Sequence, residues 1–238
     1  MDITKTNKTT WILFCLLLFA PLFVEVFFLS LITFENEAVR EPRYFWGTIH
    51  FLYCYIAYGA VCFLYLKWQK KIDLKISFKP QKDDIKWLLL AFLMGFGINQ
   101  LKNFAFGYGP IYPFGIVSDF NFYLKLVPLW IGVAGVFMQY IYYIIEFILA
   151  ALIIDCGQKT SIRLGWTQKL PWGGILLMFT WRLIHPTIGF FTTSPINIPS
   201  AIGGALLALT MGFAYMLPCK KNIRPLYAFL AVMAWYWI

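Results

Sequence analysis

Charge is what this chain has least of. Only 13% of its 238 residues are Asp, Glu, Lys or Arg, against 61% hydrophobic and 20% aromatic. Soluble domains carry about 25% charged and 45–50% apolar residues, and a soluble fold of this size has no interior large enough for so much apolar surface. Composition therefore excludes a water-soluble enzyme or binding module, and no stretch is polar enough to stand apart as a soluble domain. Histidine occurs twice, and the five cysteines (Cys15, Cys54, Cys62, Cys156, Cys219) show no paired spacing. A disulfide framework and a CxxC metal centre are not expected, and the thiols read as buried and inert. Internal repeats are also missing, which leaves an inverted-repeat transporter without support.

What the sequence does have is long apolar runs. A helix needs about 20 apolar residues to cross a bilayer, and seven segments qualify or nearly do: 11–34, 44–66, 87–101, 127–154, 172–191, 200–217 and 225–238. The expected fold is all-α, a polytopic transmembrane helix bundle of about seven spans (six to eight), forming one integral membrane domain over 1–238. Lys5 and Lys8 before the first run resemble a signal peptide. The run is too long for one and has no small-residue cleavage site, so it is expected to be the first span. Residues 102–126, rich in Gly, Pro and aromatics, are the place where a half-helix could alter the count.

The net charge of +9 does not point to nucleic acid. No basic patch accompanies a nucleic-acid-binding motif, and the cations gather in every second connection: the N-terminus, 67–86 (seven Lys, three Asp), 155–170 and 219–224. The intervening connections are neutral or acidic. This alternation predicts a cytoplasmic N-terminus, an outside C-terminus and residence in the cell (plasma) membrane, with the lipid bilayer as the first partner. In 200–217, Ser200, Gly204, Ala208 and Gly212 recur every four residues, a small-xxx-small stripe that lets another helix approach closely.

Ionisable residues inside the apolar runs carry the functional question, since a charge at the bilayer centre costs at least about 2.5 kcal/mol unless it is paired or used. Glu146 lies in the fourth run, and Arg182 and His185 lie in the fifth. From a 1.5 Å rise per residue, Glu146 is about 12 Å below Ile154, Arg182 about 15 Å beyond Trp172 and His185 about 20 Å beyond it. Antiparallel neighbours joined by a short loop would put Glu146 and Arg182 level, with His185 on the face of Arg182. Two readings stay open: a buried Glu–Arg pair that fixes register, or a Glu–His set holding a water or a metal, with Glu146 as general base. One Glu and one His fall short of the three ligands of a catalytic zinc, so neither metal nor cofactor is expected. Pro186 is expected to kink or end the helix at His185 and to open a polar cavity there. Glu25, in the first run, is a further interior carboxylate of less weight. His50, near the outer end of the second run, is expected to reach the interface. Asn99, Gln100 and Asn103 mark a polar break in the third.

Glu146, the Leu-Gly-Trp of the basic loop and Trp181-Arg-Leu-Ile-His185 together resemble the CPBP (CAAX protease and bacteriocin-processing) intramembrane proteases. That family's motifs are Glu-Glu-xxx-Arg, Phe-xxx-His and a later His or Asn; the likeness covers about residues 127–238. The resemblance implies a glutamate-dependent peptidase acting on a membrane-tethered peptide or tail, with Glu146 and His185 catalytic and Arg182 and Trp181 supporting. The sequence departs from the pattern in three ways. The Glu pair is reduced to Glu146, the motif Arg falls at Ala150 or Ala151, and 225–238 holds no His or Asn. A non-catalytic relative (a scaffold or a bacteriocin-immunity-type protein) therefore stands beside the protease. A small-molecule carrier gated by 102–126 is the third reading.

Overall fold

Runs this apolar and this long satisfy their backbone polar groups internally, which in lipid leaves a helix or a closed barrel. The computed structural model describes residues 7–34, 42–72, 74, 76–107, 129–182, 198–220 and 222–237, and all regular structure within them is helical. The α-helices are α1 (Lys8–Phe34), α2 (Pro42–Lys71), α3 (Ile85–Ala105), α4 (Leu129–Arg163), α5 (Trp172–Leu177), α6 (Ile198–Tyr215) and α7 (Arg224–Trp237). Four of them contain stretches long and apolar enough to cross a membrane: Lys8–Glu25, Ile49–Lys71, Lys82–Ala105 and Val133–Arg163. Ala201–Tyr215 of α6 is apolar but shorter. The expected bundle is thus present, with four helices of spanning length among the described residues.

The outer faces of the bundle are apolar where those of a soluble protein are polar, and several ionisable groups lie inside. Leu13, Leu16, Ile56, Phe63, Leu93 and Phe104 point outward and are exposed, while Glu25, Gln69, Asp155 and Lys159 are buried. Such a distribution suits a hydrocarbon solvent, in which apolar side chains face out and charges turn inward to one another.

The longest helix, α4, is the central post and touches α1, α2, α5, α6 and α7. The apolar run predicts an end at Ile154 with Lys159 in the basic loop beyond it; the helix instead continues nine residues further, because Asp155 and Lys159 are neutralised inside the bundle. It stops at Leu164-Gly165-Trp166, where Gly165 takes φ +77°. There Gly165 N donates to Ile162 O (3.1 Å) and Trp166 N to Ser161 O (3.0 Å), a Schellman cap that uses a residue type suited to positive φ. The third apolar run also lasts longer than expected. Asn99 does not break it but donates to Trp235 O at 2.6 Å, tying α3 to α7.

Helices meet where side chains are absent. A Cβ on Gly95 would lie 2.0 Å from Ala231 O, one on Gly173 2.1 Å from Ile154 O, and one on Gly174 2.6 Å from Ala208 O. Gly212 faces Gly174, so two members of the small-residue stripe, Ala208 and Gly212, do receive a neighbouring helix.

The described parts of the four basic segments gather at one end. Trp11 of α1 meets Trp68 of α2 edge-on at 4.6 Å, and Cys15 lies 3.1 Å from Cys156 of α4. Ser77 N donates to Asn222 O at 2.9 Å, Lys220 pairs with Asp83, and Arg224 lies over the ring of Tyr215.

Candidate functional site

The interior of the bundle holds two polar nodes. The first is centred on Glu25, one turn after Pro21 of α1 and fully buried. Facing it, α2 presents His50, Cys54 and Tyr58 at four-residue spacing, which places all three on one stripe. His50 Nε2 is 3.1 Å from Glu25 Oε1, and the Tyr58 hydroxyl donates to Oε2. From α4, the Tyr142 hydroxyl donates to Oε1 at 2.5 Å. Cys54 Sγ is 3.9 Å from Oε1 and 3.5 Å from His50 Nε2. Glu146 follows Tyr142 by one turn and is buried. One carboxylate, a histidine, a thiol and two phenols from three helices thus share one buried region, and Glu146 stands one helical turn along α4 from its Tyr142.

The second node lies about 13 Å along α4, nine residues on. Asp155 Oδ2 accepts from Tyr65 at 2.7 Å and from Lys159 Nζ at 2.8 Å, and its Oδ1 accepts from Tyr215 at 2.6 Å. Lys159 also donates to Gln69 Oε1 at 3.1 Å, and Gln69 Nε2 to Tyr65 at 2.6 Å. The two charges neutralise each other and three donors hold the carboxylate, so this node binds α2, α4 and α6 together.

Of the residues the sequence singled out, Glu146 is where it was expected, inside the bundle on α4. Its depth changes: with α4 ending at Arg163, Glu146 lies about 25 Å from that end, although it remains about 12 Å from Ile154. Gly173 packs on Ile154; Arg182 follows Gly173 by nine residues, through α5 and the turn after it, and Glu146 precedes Ile154 by eight along α4. The α-helical pattern changes at Met178–Arg182, which is a π turn. Within it Thr180 Oγ1 bonds back to Leu176 O at 2.6 Å, a side-chain bond that competes with the helix ladder. Side chains of Trp181 and Arg182 lie outside the described residues, as do His185, Pro186 and most of 102–126.

His50 requires correction. It does not reach the interface but is buried and paired with Glu25, because an imidazole next to a buried carboxylate is worth more there than in water. Sequence reasoning also passed over Cys54, Tyr58 and Tyr142. The available signal was His50-xxx-Cys54-xxx-Tyr58, a single-face stripe inside an apolar helix.

Compared with known proteins, the chain matches no family model, no curated protein and no solved structure.

Proposed function

We propose that this chain is an integral protein of the cell membrane, N-terminus cytoplasmic, that works as a glutamate-dependent intramembrane hydrolase on a membrane-tethered peptide or tail. The observation that carries the reading is the buried position of Glu146, in a region that also holds Glu25, His50 and Tyr142. A carboxylate out of water is a competent general base. In the proposed step Glu146 takes a proton from water and the hydroxide adds to the scissile carbonyl. As the C–N bond breaks, that proton passes to the leaving amine. His185 orients the water or the carbonyl, and Arg182 stands in for the motif cation.

The test is a purified full chain in vesicles with a tethered peptide that reports cleavage. Glu146→Gln is expected to lose about 10²–10⁴-fold in rate, the range of a general base. Cleavage by this variant at the wild-type rate would end the proposal. A non-catalytic role as a scaffold or immunity-type partner is the second reading. It is favoured by Ala150 and Ala151, the positions of the missing Arg, which are both buried in close packing. On that reading Glu146→Gln keeps function, while bulky residues at Ala208 or Gly212 abolish it.

A further inference from the structure

Glu25, His50 and Cys54 form a buried triangle. Glu25 Oε1 at 3.1 Å and Cys54 Sγ at 3.5 Å both face one ring nitrogen, His50 Nε2, and the thiol also reaches Oε1 at 3.9 Å. One nitrogen carries at most one hydrogen, so Nε2 serves at most one of these two neighbours as a donor. The same geometry excludes a Cys–His–Glu nucleophilic triad, which needs the thiol on one ring nitrogen and the carboxylate on the other. It does suit three lone pairs converging on a common point.

We infer that Glu25, His50 and Cys54 form a binding site for a divalent transition metal of the zinc type, a reading independent of the hydrolase proposal. The three donor atoms, all buried, lie within 4.8 Å of one another. Tetrahedral zinc with bonds of about 2.0–2.3 Å separates its ligand atoms by about 3.3–3.6 Å. The observed separations of 3.1, 3.5 and 3.9 Å bracket that range, so small side-chain shifts complete the site. Oxygen, nitrogen and sulfur donors together select borderline metals over magnesium or calcium. His50 and Cys54 come from one helix at i,i+4, so α2 presets two ligands, and Glu25 of α1 supplies the third. The Tyr58 hydroxyl donates to Glu25 Oε2 and that of Tyr142 to Oε1, so both orient the carboxylate as outer partners of metal ligands do.

Charge argues the same way. With Cys54 as thiolate, Glu25 ionised and His50 neutral, a divalent ion brings the net charge to zero, which avoids the cost of an isolated charge in a low-dielectric interior. Binding releases the thiol proton, together with any proton shared by Glu25 and His50.

Cobalt(II) serves as the probe, titrated into purified metal-free full chain in detergent. The expected result is one cobalt per chain, with a near-ultraviolet sulfur-to-cobalt charge-transfer band and the intense visible bands of tetrahedral cobalt. Cys54→Ser is expected to remove the charge-transfer band, and Tyr142→Phe to keep it at about 10–100-fold lower affinity. Cys15→Ser, away from the site, leaves it unchanged. Absence of the band in the wild-type chain, or its persistence in Cys54→Ser, overturns the proposal. A second measurement needs no variant: X-ray absorption of the zinc-loaded wild-type chain should show one sulfur among nitrogen and oxygen ligands. A shell without sulfur, or with several, overturns it as well.

Discussion

At the scale of single residues, the cost of a charge in this interior depends on its partner. Asp155 is fully buried and bonds Lys159, Tyr65 and Tyr215. Asp155→Ala leaves the Lys159 ammonium buried without its counter-ion, and breaking a buried pair costs about 3–5 kcal/mol. Thermal unfolding in detergent should show a markedly lower midpoint for that variant. Adding Lys159→Met should restore most of the loss, since the double change leaves no lone buried charge. The sequence disclosed part of this. Asp155 and Lys159 stand at i,i+4, a spacing that permits pairing, but they follow the apolar run and so read as loop. Their other partners, Tyr65, Gln69 and Tyr215, come from helices distant in the chain, and nothing local marks them. Glu146 was legible because it interrupts an apolar run; Glu25 does too, yet its weight depends on His50 and Tyr142 arriving from elsewhere.

At the scale of helices, glycine separates close crossings from open faces. Gly95 and Gly97 lie two residues apart in α3, and their surroundings are opposite. A Cβ at Gly95 strikes the backbone of Ala231, whereas one at Gly97 meets nothing within 4 Å. Gly95→Ala is expected to destabilise by about 1–3 kcal/mol through overpacking. Gly97→Ala should be neutral or stabilising by up to about 1 kcal/mol, the helix-propensity difference between the two residues. Unfolding midpoints measured side by side test the pair, and equal effects would contradict the crossing described for α3 and α7. The existence and order of the helices were readable from apolar run length. Their ends were not, because α4 extends into charged sequence that only tertiary pairing makes acceptable. Periodicity exposed the stripe on α6 but not its receiver, Gly174, which lies in a helix of only six residues.

For the molecule as a whole, the gathering of the basic segments at one end is the feature that sequence charge anticipated best. Two of these segments are fastened to each other by Lys220–Asp83 and by the bonds around Asn222. The Asp83 carboxylate holds the Lys220 ammonium above its ordinary range. The pair therefore contributes fully below the usual lysine pKa and loses its contribution as pH rises through the raised value. Both side chains are exposed, so the effect is small and screened by salt. The alkaline fall of the unfolding midpoint should become slightly shallower in Lys220→Gln at low salt, and the difference should vanish at high salt.

The reach of α4 has a further consequence. Thirty-five residues make a rod of about 52 Å, well beyond the roughly 30 Å of a hydrocarbon core. Its turns beyond Ile154 run into the basic end, where Asp155 and Lys159 already neutralise each other within the bundle. A thicker bilayer can climb over that end without meeting a bare ion, and a thinner one can leave it in the headgroups. The helix gives the protein a built-in allowance for hydrophobic mismatch. Unfolding midpoints in bilayers of graded acyl-chain length should vary little for the wild-type chain and fall with thickness for Asp155→Ala, which carries its ammonium unmatched.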